Sequence, residues 1–196
     1  MTTTITRLYD TQAHAADAVN ALKTAGITDS DISIVASQSD YGIDNRVSAD
    51  VATSDAARDA GAGAGIGGVL GAGAGLLAGL GLLAIPGLGP VVAAGWLAAT
   101  AAGAAAGAVA GGATGGIIGA MTEAGVDHDT AHVYAESVRR GSSLVTARVP
   151  DDRRVEAERI LDQYNPVNAG TRGAELRNEG WSRFDDRGSP YRGPQF

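Results

Sequence analysis

The chain has 196 residues, 44% hydrophobic and 19% charged, with a mean hydropathy of +0.01, the profile of one ordinary domain or two small ones. It has no cysteine, which excludes a disulfide scaffold, a Cys-bearing zinc site and a thiol nucleophile. A net charge of -7 argues against a nucleic-acid binder, which needs a basic face to neutralise phosphates.

Thr4-Ile-Thr-Arg-Leu-Tyr9 is rich in β-branched and aromatic residues and predicts a strand. Asp10 or Thr11 then offers an N-cap to a helix with Ala15, Val19 and Leu22 on one face and Gly26 at the C′ position. Ile32-Ser-Ile-Val-Ala36 alternates as a second strand, with Ile32, Ile34 and Ala36 on one side. Residues 1–37 thus read β-α-β, and residues 38–59 as a polar loop and the start of a helix. No basic stretch followed by an apolar run opens the chain, so no secretory signal is expected.

The composition then changes. Glycine totals 29, about twice the ~7% of average usage. Twenty of these lie between Ala60 and Thr122, where no residue is charged. Gly63, Gly67, Gly71, Gly75 and Gly79 fall every four residues, and so do Gly103, Gly107, Gly111, Gly115 and Gly119. Ile85-Pro-Gly-Leu-Gly-Pro90 separates the two ladders and reads as a turn with Pro90 near N1 of a second helix. Residues 60–122 therefore predict an antiparallel helical hairpin whose small residues let helices approach closely. Helices of about 25 and 32 residues would reach roughly 37 and 48 Å, more than the ~30 Å of a hydrocarbon core. In water each glycine costs about 1 kcal/mol relative to alanine, so lipid or dense helix packing must offset the cost. Leucines of the first helix, Leu70 to Leu83, suit lipid; the stretch from Ala98 to Gly116, with Val109 as its one large apolar side chain, suits helix packing.

Beyond the ladders, Asp127 is a cap for a helix with Ala131, Tyr134, Ala135 and Val138 as its stripe, closed by Arg139, Arg140 and Gly141. Ser143 to Val149 alternates as a strand, with Val145, Ala147 and Val149 facing one way. Pro150-Asp151 stops it and caps another helix with Val155, Ile160, Leu161 and Tyr164 inward, followed by a short strand near Val167. Neither flank buries a core alone. Residues 1–37 and 123–168 together predict an α+β fold: a split ferredoxin-like β-α-β…β-α-β domain interrupted by the Gly/Ala-rich hairpin. Residues 169–196 read as a flexible tail carrying an aromatic motif, with Trp181, Phe184 and Tyr191 as anchors for docking a partner, a membrane surface or the chain's own domain.

Arg7-Leu-Tyr-Asp-Thr11…Ala15…Ala18…Leu22 with Gly26-Ile27…Ile32-Ser-Ile-Val35 resembles the first half of the bacterial heat-induced general stress protein family (general stress protein 17M-like domain). Tyr134-Ala-Glu-Ser-Val-Arg-Arg-Gly141…Leu144-Val-Thr146 and Ala157-Glu-Arg-Ile-Leu161 resemble its second half, and Gly180-Trp-Ser-Arg-Phe-Asp185…Pro190-Tyr191 a motif that often follows it. The resemblance implies a stress-induced, non-enzymatic protein and carries no catalytic signature.

Three motifs invite chemistry and are outweighed. Gly63-Ala-Gly-Ile-Gly-Gly68 matches the dinucleotide fingerprint but follows a helical pattern instead of a strand. His128-Asp-Thr-Ala-His132 has metal-ligand spacing with Glu136 one turn on, yet no third ligand is marked, and a solvated helix start accounts for it. Arg139-Arg140 satisfies the helix C-terminus more readily than a phosphate. No catalytic, cofactor or metal residue is expected. The first expectation is a homo-oligomeric stress protein held in the cytoplasmic membrane by the glycine-zipper hairpin, with both termini cytoplasmic. The alternative is a soluble oligomeric structural or interaction module, in the cytoplasm, whose hairpins pack into a shared helical core.

Overall fold

The computed structural model describes residues 1–37, 81–85, 88–101 and 116–185. Five strands form one antiparallel sheet: β1 (Thr2–Tyr9), β2 (Ile32–Ser37), β3 (Gly81–Ile85), β4 (Gly89–Ala94) and β5 (Ser143–Pro150), in the order β1-β5-β2-β4-β3. β5 pairs with both β1 (Thr2↔Pro150 through Tyr9↔Ser143) and β2 (Ile32↔Ala147 through Ala36↔Ser143). β1 and β2 therefore run parallel to each other, joined by the crossover helix α1 (Gln12–Thr24). The helices after α1 are α2 (Gly116–Glu123), α3 (His128–Arg139), α4 (Arg154–Asp162) and α5 (Ala169–Asn178), and residues 96–101 are also helical.

Alternation along the strands divides the core in two. Ile5, Tyr9, Ile32, Ile34, Val145, Ala147 and Val149 face α1 and α4, where Ala15, Ala18, Val19, Leu22, Ala157 and Leu161 meet them. Leu8, Val35, Val91, Ala93 and Leu144 face the opposite layer, built from residues 96–101, α2 and α3. With helices on both faces, the central strands are buried throughout: Ile32 to Ala36 and Ser143 to Ala147 have no exposed residue. Two pairs of polar groups in this interior are hydrogen-bonded, while Ser143 Oγ is buried without a partner. The Thr6 and Thr146 hydroxyls meet at 3.3 Å across β1 and β5, and Ser33 Oγ donates to the Ala94 carbonyl at 2.7 Å.

The expected caps of the first flank helix and of the helix after residue 127, and the closing glycine of the former, are present. Thr11 is the N-cap of α1, its side chain accepting from His14 N, and Asp127 caps α3 by accepting from Thr130 N. Gly26, at φ +87°, closes α1 with Gly26 N donating to Lys23 O and Ile27 N to Leu22 O. The short strand near Val167 is one antiparallel bridge to Leu8.

Other expectations are corrected. Residues 81–85 and 89–94, expected in two helices, are instead strands paired from Gly81↔Ala93 to Ile85↔Gly89, with Pro90 inside β4 and not at a helix start. β4 also pairs with β2, from Ile34↔Ala94 to Ser37↔Val91. β-branched Val91 and Val92 favour a pleated surface, and the open edge of β2 supplies the partner that an interrupted glycine-rich helix lacks. α2 crosses the expected boundary at residue 122 and carries Gly119. The remaining ladder glycines, Gly63 to Gly79 and Gly103 to Gly115, and the loop 38–59 lie outside the described residues.

Pro150 belongs to β5, Asp151–Arg153 form a short 3-10 turn, and α4 begins at Arg154 without a side-chain cap. The apolar stripe is Ala157, Ile160 and Leu161 of α4, with Tyr164 in the turn just beyond it. Val155 stands about 200° round the helix from Ala157 and is 72% exposed. The start of the tail, expected to be flexible, is α5, capped by Asn168 Oδ1 accepting from Thr171 N, with Leu176 buried. Its Gly173 is a contact point: a Cβ there would come within 3.1 Å of Val133 Cγ2 on α3.

Gly95 carries the turn out of β4 at φ +88°, and a Cβ on it would lie 2.2 Å from the Ile32 carbonyl oxygen. Gly95→Ala should therefore push β4 off β2 and lower stability by about 3–5 kcal/mol. Gly125→Ala, with open space around its Cβ, should lose only about 1–2 kcal/mol. Urea denaturation of the two variants checks the difference; equal losses would contradict the close approach.

Candidate functional site

The polar chemistry of the described residues gathers along α3. Packing against the second face of the sheet, α2 and α5 buries α3 continuously from Ala131 to Val138, including His132, Glu136 and Ser137. His128, His132 and Glu136 recur every four residues and so form one line along the helix.

Glu136 has no exposed side-chain surface. Its Oε1 accepts from Arg139 Nη2 and from Arg140 Nε, both at 2.7 Å, and its Oε2 from Arg139 Nε at 3.0 Å. Arg140 also pairs with Glu179, at the end of α5. Next to this group, Arg172 of α5 pairs with Asp10 at the end of β1 and lies 3.5 Å from Glu175. The two arginines were expected to satisfy the helix C-terminus. Backbone donors do that instead, through Gly141 N to Val138 O and Ser142 N to Ser137 O. The arginine side chains turn back to neutralise a carboxylate that could not stay buried alone. Glu-x-x-Arg-Arg, at i, i+3 and i+4, is the sequence signal that would have found this cluster.

His128 and His132 do come together, their ring centroids 4.8 Å apart in an edge-on arrangement at 76°. They do not converge on a third ligand. Glu136 is held by two arginines, and among the described residues no group of three His, Asp or Glu side chains is placed to hold a metal ion. His132 Nε2 instead accepts from Arg183 Nε at 3.2 Å, which places the ring proton on Nδ1. That Nδ1 is buried without a hydrogen-bond partner. Burial first, then the charge of Arg183 and the neighbouring His128, push the imidazole below its ordinary value of 6.5, against an opposing pull from Asp129.

Arg183 lies on a short strap, residues 181–185, which α5 launches through Gly180. At φ +89°, Gly180 N donates to Arg177 O and Trp181 N to Leu176 O, so the chain reverses tightly and turns Trp181 back. Trp181 packs on the second core cluster, and Phe184 joins it at 5% exposure. Of the three aromatic anchors, Trp181 and Phe184 thus sit on the chain's own domain, while Tyr191 lies outside the described residues. A shallow open groove of about 520 Å³ between α1 and Tyr164, lined by Asp17, Asn20 and Thr24, brings together no nucleophile and base. Among the described residues, no helix is long and apolar enough to cross a membrane.

No family model matches the chain, and no curated protein or solved structure matches it either.

The arrangement can bind charge internally and exchange one proton, at His132. Glu136→Ala should leave Arg139 and Arg140 buried without their shared carboxylate and lower stability by about 3–5 kcal/mol, measured by urea denaturation at neutral pH. A loss under about 1 kcal/mol would show the cluster to be energetically equivalent to a surface pair.

Proposed function

We propose that the chain is a non-enzymatic structural module of the general stress protein kind, on a split ferredoxin-like scaffold that has absorbed part of its uncharged insertion. The scaffold reading is supported by β5 lying between β1 and β2, by α1 and α4 sharing one face, and by Val167 bridging Leu8. The observation that carries the functional reading is the pairing of β4 with β2. Residues 81–85, 88–101 and 116–123 belong to the sheet and its second helical layer, which supports the soluble module over a pair of spanning helices. Within the uncharged residues 60–122, the stretches longer than two residues that lie outside the described residues are 60–80 and 102–115. The second of these, at 14 residues, is shorter than the ~20 that a span requires. A single span through 60–80 would put β2 and β3 on opposite sides of a bilayer, although they belong to one sheet. The glycine spacing from Gly63 to Gly79 then serves close packing between copies.

After lysis without detergent the protein should be in the supernatant. A pellet fraction that resists carbonate washing would instead establish membrane insertion. Deleting residues 60–80 should reduce the mass in sedimentation to that of a monomer, and an unchanged oligomer would remove the ladder from the interface.

A further inference from the structure

We propose that the His132–Arg183 contact is a proton-operated latch, which holds the strap of residues 181–185 on the core when His132 is neutral and releases it when His132 takes up a proton.

The latch follows from its geometry. Arg183 Nε–H donates to Nε2 of His132, and this bond exists only while Nε2 keeps its lone pair. A proton from solvent can add at that same atom. The bond then has two donors and no acceptor, and an imidazolium faces a guanidinium. The groups facing His132 are His128 and Asp129 from α3 itself and Arg183 from the strap. The other charges near this seam are already engaged: Glu136 by Arg139 and Arg140, Glu179 by Arg140, and Arg172 by Asp10 and Glu175. Asp185, two residues after Arg183, is engaged as well. The new charge is therefore carried beside Arg183 with Asp129 as its counterweight, in a ring whose surface is 91% covered and whose other nitrogen has no hydrogen-bond partner.

The strap makes this local event visible. Phe184, next to Arg183, is buried in the cluster that includes Ala131, Tyr134 and Ala135, and Trp181 packs against that cluster. Five residues with one buried aromatic and one partly buried aromatic are a small unit, of the kind that opens below the global unfolding free energy. When the latch opens, both aromatics leave the face they cover.

The sign is fixed by the direction of the shift. Arg183 is one of the groups that hold His132 below its ordinary value, so the closed form takes up the proton less readily than the open form. The contribution of the latch is complete where His132 is neutral in both forms and is lost as pH falls through the lowered folded value.

The test is amide hydrogen exchange of residues 181–185 in the full chain, corrected for intrinsic rates, with β5 amides as the control for global unfolding. Between about pH 7.5 and pH 5, strap protection should fall at least about tenfold, while β5 protection stays constant. His132→Gln keeps a neutral acceptor that does not titrate, and its strap should stay protected at both pH values. His132→Ala should be open at both. A second readout is the Trp181 indole resonance, whose shift should titrate at the same midpoint as the His132 ring proton. If the strap opens equally in His132→Gln and the parent chain, or if protection does not change down to pH 5, the latch is refuted.

Discussion

β5 is hydrogen-bonded along both edges to strands that α1 keeps one strand-width apart. Without it, β1 and β2 are two parallel strands with a vacant lane between them, and the helices on either face have no continuous floor. Its sequence suits that position. Val145, Ala147 and Val149 fill one side, Leu144 and Thr146 the other, and Ser143 to Ala147 is buried throughout. A strand buried on both faces cannot alternate between apolar and charged, so the polar residues of its buried stretch are the small hydroxyls Ser143 and Thr146, of which Thr146 meets Thr6.

Charge is handled differently in the layer above. α3 is so enclosed that its own carboxylate and imidazole are covered, and both are answered from close by: Glu136 by the next two arginines, His132 by an arginine from beyond α5. The first answer consists of three hydrogen bonds from guanidinium groups to one carboxylate. The second depends on one proton. A fixed cluster therefore anchors the C-terminal half of α3, and a titratable contact holds the chain that crosses its N-terminal half.

Much of the α+β framework was legible because local patterns carry it. Ile32 and Ile34, or Val145, Ala147 and Val149, alternate for a reason internal to each strand, and Thr11, Asp127 and Gly26 act within a few residues of themselves. The failures share a cause in distant partners. Residues 81–85 and 89–94 became strands because β2 had an edge to offer to β4, whose partners there lie 54 to 60 residues away. α5 was hidden because Gly170 and Gly173 suggest looseness, whereas Gly173 makes room for Val133 of α3. Val155 was misplaced because the short turn at Asp151–Arg153 sets where α4 begins and hence which side faces in. At the candidate site, the histidine spacing was legible; that Arg183 would reach His132 was not, since no periodicity links a helix start to a chain segment fifty-one residues on.

The register Thr2↔Pro150 has a consequence in time. β1 leaves the ribosome before β5 and waits for the residues 134 to 148 positions further on before its only ladder partner among the described residues is made. Until then β1, α1 and β2 can pack as a half-built layer, with the lane for β5 open and the glycine-rich segment already emerging beside it. Long-range closure of this sort is slow compared with helix formation, and an unfilled lane is a place where a neighbouring nascent chain can insert its own β5. Crowded synthesis would therefore favour exchange of this strand between copies, with the natural safeguard being a release rate slow enough to let the chain's own β5 arrive first.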